Sequence, residues 1–127
     1  MLRAMLTYID GTFVEDELAT VNVRSRALNY GLGCFGGIRG YRSDDGKQVF
    51  VFRLDAHIER LEESTKMLYM QLPGTQAEVC DIVLDLLRRN DAHEDISVRP
   101  LVIHNSNLLA PVLREEDRSC TCSCMPL

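Results

Sequence analysis

Glycine is crowded into one place in this chain. Five of its eight glycines fall among the thirteen residues Asn29–Tyr41, NYGLGCFGGIRGY. Backbone without a Cβ can take positive φ or come close to another surface. A buried strand is only weakened by so many glycines. The tract therefore predicts something flat or bulky lying against the backbone. Arg39, set among the last of these glycines, adds a planar cationic fork suited to a carboxylate or phosphate.

The residues around the tract alternate between strand and helix patterns. Leu6–Ile9 and Thr12–Val14 flank Asp10-Gly11, the signature of a type I′ hairpin. Glu15–Glu17 reads as an acidic turn, and Ala19–Val23 alternates like a short edge strand. Gly33–Tyr41 reads as a glycine-rich strand. It is followed by the turn Ser43–Gly46 and a returning strand, Gln48–Phe52. In Leu54–Met70, the residues Leu54, Ile58, Leu61 and Leu68 recur at helical spacing. Gln76–Arg89 is a second helix with Thr75 and Glu78 as a capping box. Its Val79, Ile82, Val83, Leu86 and Leu87 form one apolar stripe, and Asn90 stands at its stop.

Ile96–His104 predicts a strand in which Pro100 implies a bulge or an edge position. Asn105–Asp117 is polar and irregular, and Ser119–Met125 alternates as a last strand. The order of elements predicts an α+β domain: a mostly antiparallel sheet with two helices packed on one face.

Length and charge narrow the function. At 127 residues the chain fits one domain with a core of its own. A net charge of −5 argues against nucleic acid as a partner. No apolar run approaches the roughly 20 residues that span a bilayer, and the opening MLRAMLTYID lacks the apolar stretch of a secretion signal. Five cysteines, an odd number, then fit free thiols in a reducing, cytoplasmic setting. Cys120, Cys122 and Cys124 share one face of a strand, where cysteine behaves as a small apolar residue. Zinc is the lesser reading for them, because such sites draw on four spaced ligands.

Little else is organised for chemistry at the level of spacing. His57, His93 and His104 have no metal-ligand spacing and read as surface or capping residues. Gly31, Gly33 and Gly36 spell G-x-G-x-x-G, but a strand, not a helix, follows them, so a dinucleotide loop is rejected. Three arginines stand out. Arg39 and Arg99 sit in apolar strand contexts, where a guanidinium needs an anion. Arg60 sits in mid-helix beside the core position Leu61.

Several of these motifs, in this order, resemble the small N-terminal domain of the fold-type IV, pyridoxal-phosphate-dependent aminotransferases. The branched-chain amino-acid type is the most similar. Tyr8–Gly11 resembles that family's first hairpin, and Tyr30–Tyr41 resembles its Y-G-x-x-x-F-E-G-I-R-x-Y tract. Phe52–Leu61, with Ser64 and Lys66, resembles its F-R-x-x-x-H-x-x-R-L-x-x-S-x-K helix. Asn90 and Val98–Leu101 resemble its N…I-R-P-L strand. The resemblance runs in register from Tyr8 to Leu101.

The resemblance implies roles. Arg60 would bind the cofactor phosphate, and Phe35, Gly37, Arg39 and Arg99 would form the substrate-side wall. Tyr30 would serve the neighbouring subunit's pocket in a homodimer. The substrates implied are Leu, Ile or Val with 2-oxoglutarate. Gly36 and Ser97 depart from the family's usual Glu and Tyr. Neither Lys47 nor Lys66 matches the lysine that bonds the cofactor aldehyde. The expectation is therefore a small domain over residues 1–127 without its catalytic-lysine partner, inactive alone. The alternatives are a relative of the D-amino-acid aminotransferases or aminodeoxychorismate lyases, and a non-catalytic dimerisation domain.

Overall fold

A computed structural model describes residues 4–106, 109 and 117–127. Strand β1 (Leu6–Ile9) turns through Asp10 and Gly11 into β2 (Thr12–Glu15). Both turn residues have positive φ, +44° and +97°, as a type I′ turn requires. A 3₁₀ turn over Asp16–Leu18 follows. Ala19–Val23 then continues without strand pairing, so the edge strand expected there is absent.

The next element is one the sequence pattern does not announce, a five-residue helix α1 (Arg26–Tyr30). The Ser25 hydroxyl caps it by accepting from Ala27 N–H, and Gly31 ends it in the left-handed conformation at φ +67°. The glycine tract beyond it forms two short strands, β3 (Gly33–Phe35) and β4 (Ile38–Arg42), instead of one. β5 (Val49–Val51) returns beside β4. Two longer helices follow, α2 (Leu54–Met67) and α3 (Gln76–Arg89). The capping box of α3 is complete: Thr75 accepts from Glu78 N–H, and the Glu78 carboxylate accepts from Thr75 N–H. β6 (Ile96–His104) and β7 (Arg118–Pro126) close the sheet. Most of the polar stretch Asn105–Asp117 lies outside the described residues.

All pairings are antiparallel, in the order β2-β1-β7-β6-β4-β5, with β3 also on β6. β3 and β4 lie end to end along the same side of β6 and keep one register with it, Phe35 opposite Leu101 and Ile38 opposite Val98. The break between them therefore inserts no extra residue. It falls opposite Pro100, whose carbonyl accepts from Gly36 N–H at 2.9 Å. In an antiparallel ladder a residue's two polar groups face the same neighbour. The N–H that Pro100 lacks is thus missing toward Gly36, where regular pairing has already stopped. Pro100 sits in the middle of the sheet and not at a bulge or edge, because its partner strand yields there.

Alternation along β6 sends Ile96, Val98, Pro100 and Val102 to one face and Ser97, Arg99 and Leu101 to the other. The first face is the core. Ile58 and Leu61 of α2, and Val79, Val83, Leu86 and Leu87 of α3, pack there against Ile38, Val98 and Val102. Each such fully buried side chain contributes on the order of 1.5–3 kcal/mol. Cys120 and Cys122 are buried in the same cluster, with Cys124 packed against it. Burial pushes the Cys120 thiol up to about 12 and Cys124 up to about 11, and raises Cys122 as well. His104 corrects an expectation: it is fully buried, not a surface residue, with Nε2 3.4 Å from the Leu68 carbonyl.

Four of the five tract glycines now have separate causes. Gly31 supplies the helix-ending turn. A Cβ at Gly33 would come within 2.9 Å of Ile103 Cγ2, one at Gly36 within 3.2 Å of Pro100 Cγ, and one at Gly40 within 2.7 Å of Val49 Cγ1. The bulky groups lying against this backbone are the protein's own side chains. Gly37 is the exception: a Cβ there would meet nothing within 4 Å.

Candidate functional site

With α2 and α3 on one face, the opposite face of the sheet is where charged side chains can gather. Arg39 on β4 stands opposite Ser97 on β6, and Arg99 stands opposite Ser123 on β7. The shared register sets Gly37 across from Arg99 on the other side. Since Gly37 has no side chain, that row of the face is left open. The guanidinium carbon of Arg99 lies 4.2 Å from the centroid of the Phe35 ring. Among the described residues neither Arg39 nor Arg99 takes part in an ion pair. The face therefore offers two cationic forks and one aromatic ring around a gap, with serines beside them. That arrangement suits a small organic anion with an apolar part.

The structure thus brings Phe35, Gly37, Arg39 and Arg99 onto one face, and it places Tyr30 and Arg60 elsewhere. Tyr30 ends α1, and its hydroxyl donates to the Leu109 carbonyl. Arg60 is exposed on α2, in the helical layer across the sheet, where its carbonyl accepts from the Ser64 hydroxyl. Among the described residues it has no carboxylate partner. Lys66 is exposed on the same helix, 3.5 Å from Glu62. Lys47 is exposed in the turn between β4 and β5.

An apolar groove of about 380 Å³ runs beside the open face between α1 and the sheet. Leu28, Phe35, Leu101 and Ile103 are among its walls. Helix α1 is fixed there at its N-terminal end. The Ser25 hydroxyl donates to the His104 carbonyl at 3.1 Å, and the buried Arg26 pairs with Asp117 at 3.0 Å. Spacing in the sequence assigns no site role to Leu28, Leu101 or Ser123. The alternation of β6 and β7 carried the signal for the last two. Leu28 had none, because α1 is too short to show a period.

No protein-family model matches the chain. Curated relatives do. The chain is 31% identical over 114 residues to a probable branched-chain-amino-acid aminotransferase of Synechocystis sp., covering 89% of this chain and 37% of that protein. It is 34% identical over 104 residues to a branched-chain-amino-acid aminotransferase of Pseudomonas aeruginosa, covering 82% and 33%. The chain thus spans about a third of the length of these relatives. Among solved structures, a branched-chain aminotransferase from Thermoproteus uzoniensis with norvaline superposes with a TM-score of 0.89 at 34% identity. That match covers 98% of this chain and 41% of the other. A T.th. branched-chain amino acid aminotransferase complexed with 4-methylvaleric acid gives 0.89 at 30%, covering 100% and 42%. No helix among the described residues is long and apolar enough to cross a membrane.

Proposed function

We propose, for a chain that carries the small N-terminal domain of the fold-type IV branched-chain aminotransferases, that its open sheet face is one wall of an amino-acid and 2-oxo-acid site. The observation that carries this reading is that strand register places Arg39 and Arg99 on one sheet face beside the open row at Gly37. A guanidinium fork matches a carboxylate bidentately. The ring of Phe35 and the empty position at Gly37 give an aliphatic side chain an apolar place to lie. Leu, Ile and Val, exchanging an amino group with 2-oxoglutarate, are the substrates of this reading. The homodimer it implies would use Tyr30 near the subunit boundary.

The residues present fit pyridoxal phosphate in part. Arg60, which the resemblance makes the phosphate ligand, is exposed and without a carboxylate partner among the described residues, but it stands in the helical layer and off the arginine wall, so its role rests on the resemblance alone. When bound, that cofactor supplies the electron sink for transamination. The aldehyde end finds no match: Lys47 lies in a hairpin turn and Lys66 faces Glu62 on a helix. No step is assigned to this chain through the cofactor. We take residues 1–127 as the small domain of such an enzyme, inactive by itself.

The test uses the purified chain with pyridoxal phosphate, leucine and 2-oxoglutarate. No glutamate should form, and borohydride should trap no cofactor on Lys47 or Lys66. Arg39 and Arg99 side-chain NMR signals should respond saturably to 4-methylvaleric acid. Glutamate production by the chain alone would overturn the inactivity, and silent arginine signals would overturn the wall. A second reading, a non-catalytic dimerisation domain, draws on the exposed Val21 and Leu28 that line the groove. It predicts a stable cofactor-free dimer by sedimentation.

A further inference from the structure

We propose that Phe35 is a positioning residue for Arg99, holding the guanidinium by its charge and face so that the outward N–H donors stay open to a carboxylate. The inference rests on the reading that Arg99 takes such a group. Register explains the pairing. Phe35 sits opposite Leu101, and Arg99 is two residues back on the same strand and face, a diagonal neighbour of the ring. The position directly across from Arg99 is Gly37, which has no side chain to compete for it. The guanidinium therefore leans onto the ring, 4.2 Å from its centroid. An arginine over an aromatic face engages through its charge and its π-surface, whereas its five N–H donors point outward in the guanidinium plane. Holding a long, flexible side chain in one orientation before the ligand arrives lowers the ordering cost of binding. Arg39 has no ring over which it is held among the described residues. The open face thus carries one pre-set fork and one free fork.

Phe35 is exposed, so substituting it leaves the core untouched. The experiment compares the wild-type chain with Phe35→Leu and Phe35→Tyr. It reads the Arg99 Nε–Hε NMR signal before and during titration with 4-methylvaleric acid, with the neutral amide of that acid as control. The wild type and Phe35→Tyr should show a ring-current shift of Arg99, and Phe35→Leu should lose it. Acid affinity should fall about two- to fivefold in Phe35→Leu and be restored in Phe35→Tyr, the range expected for an exposed cation–π contact. An unshifted Arg99 signal in the wild type, or equal affinity in Phe35→Leu, overturns the proposal. A wild-type chain that shows the shift yet takes up no acid overturns the underlying reading of the open face, and the proposal with it.

Discussion

The side-chain amide of Asn90 makes both hydrogen bonds that a neighbouring strand would make to Leu6. Leu6 N–H donates to its Oδ1 at 2.7 Å, and its Nδ2 donates to the Leu6 carbonyl at 2.9 Å. β1 pairs with β7 only at Tyr8 and Ile9. At Leu6 the ladder is open, and an asparagine just past the last turn of α3 replaces it. The same Nδ2 lies 3.3 Å from Cys124 Sγ. One residue thereby ties the helical layer to two strands of the sheet.

Asn90→Ala should lower stability by about 1–3 kcal/mol, because two half-buried backbone groups lose their partners at once. Urea unfolding followed by circular dichroism measures the loss. Amide exchange at Leu6 should accelerate more than at Tyr8, whose ladder partner remains. Equal acceleration at both would place the effect elsewhere.

The glycines of the tract should separate in a stability assay. Gly40→Ala would drive a methyl to within 2.7 Å of Val49 Cγ1 and 2.9 Å of Ile96 Cγ2. Overpacking of this kind costs about 1–3 kcal/mol. Gly37→Ala should leave the urea midpoint within experimental error, since its Cβ meets nothing. By the proposed function it should still weaken uptake of 4-methylvaleric acid.

Alkaline stability should follow the buried thiols. Their ordinary value is 9.0, and burial raises Cys120 to about 12 and Cys124 to about 11. The thiolate is thus favoured in the unfolded chain, so the unfolded state releases protons first as pH rises. Stability from this source is intact below pH 9 and declines from there toward about 12, as read by urea midpoints along a pH series. Near neutral pH, Cys120 and Cys122 should resist a thiol reagent until the chain is unfolded.

Arg26→Ala should cost about 1–3 kcal/mol, because it removes a fully buried side chain and takes this partner from the part-buried Asp117 carboxylate. Arg26 has no exposed surface, and Asp117 carries little. Thermal unfolding measures the loss. A fall confined to a few tenths of a kcal/mol would show that the pair is solvated.

Much of the architecture was legible because it rests on local chemistry. α3 begins and ends where its capping box and last periodic residue place it, and β6 spans the predicted Ile96–His104. The Asp10-Gly11 turn follows from two residues that tolerate positive φ. What was misread depended on distant partners. α1 is shorter than any helix that sustains itself; it exists because Ser25 and Arg26 bond to His104 and Asp117. Ser25 and Gly31 were its only local marks. Pro100 suggested an edge because proline lacks a donor, and no local pattern shows that the strand beside it stops in time. His104 looked like a surface residue until β6 carried it beneath Leu68.

For the candidate site the division is similar. The structure leaves Arg39 and Arg99 exposed, so neither guanidinium needs an anion to offset burial. Sequence alone determined which residues carry charge, where glycines remove side chains, and that both arginines lie in strands. It could do so because alternation and turn chemistry act over a few residues. Tertiary structure decided the rest. Strand register set Gly37 across from Arg99 and Phe35 diagonally beside it, the packing of two helices on the core face left Arg60 and Lys66 off that wall, and Lys47 lies in the β4–β5 turn. Register and layer are properties of paired segments far apart in the chain, so only the folded sheet fixes them.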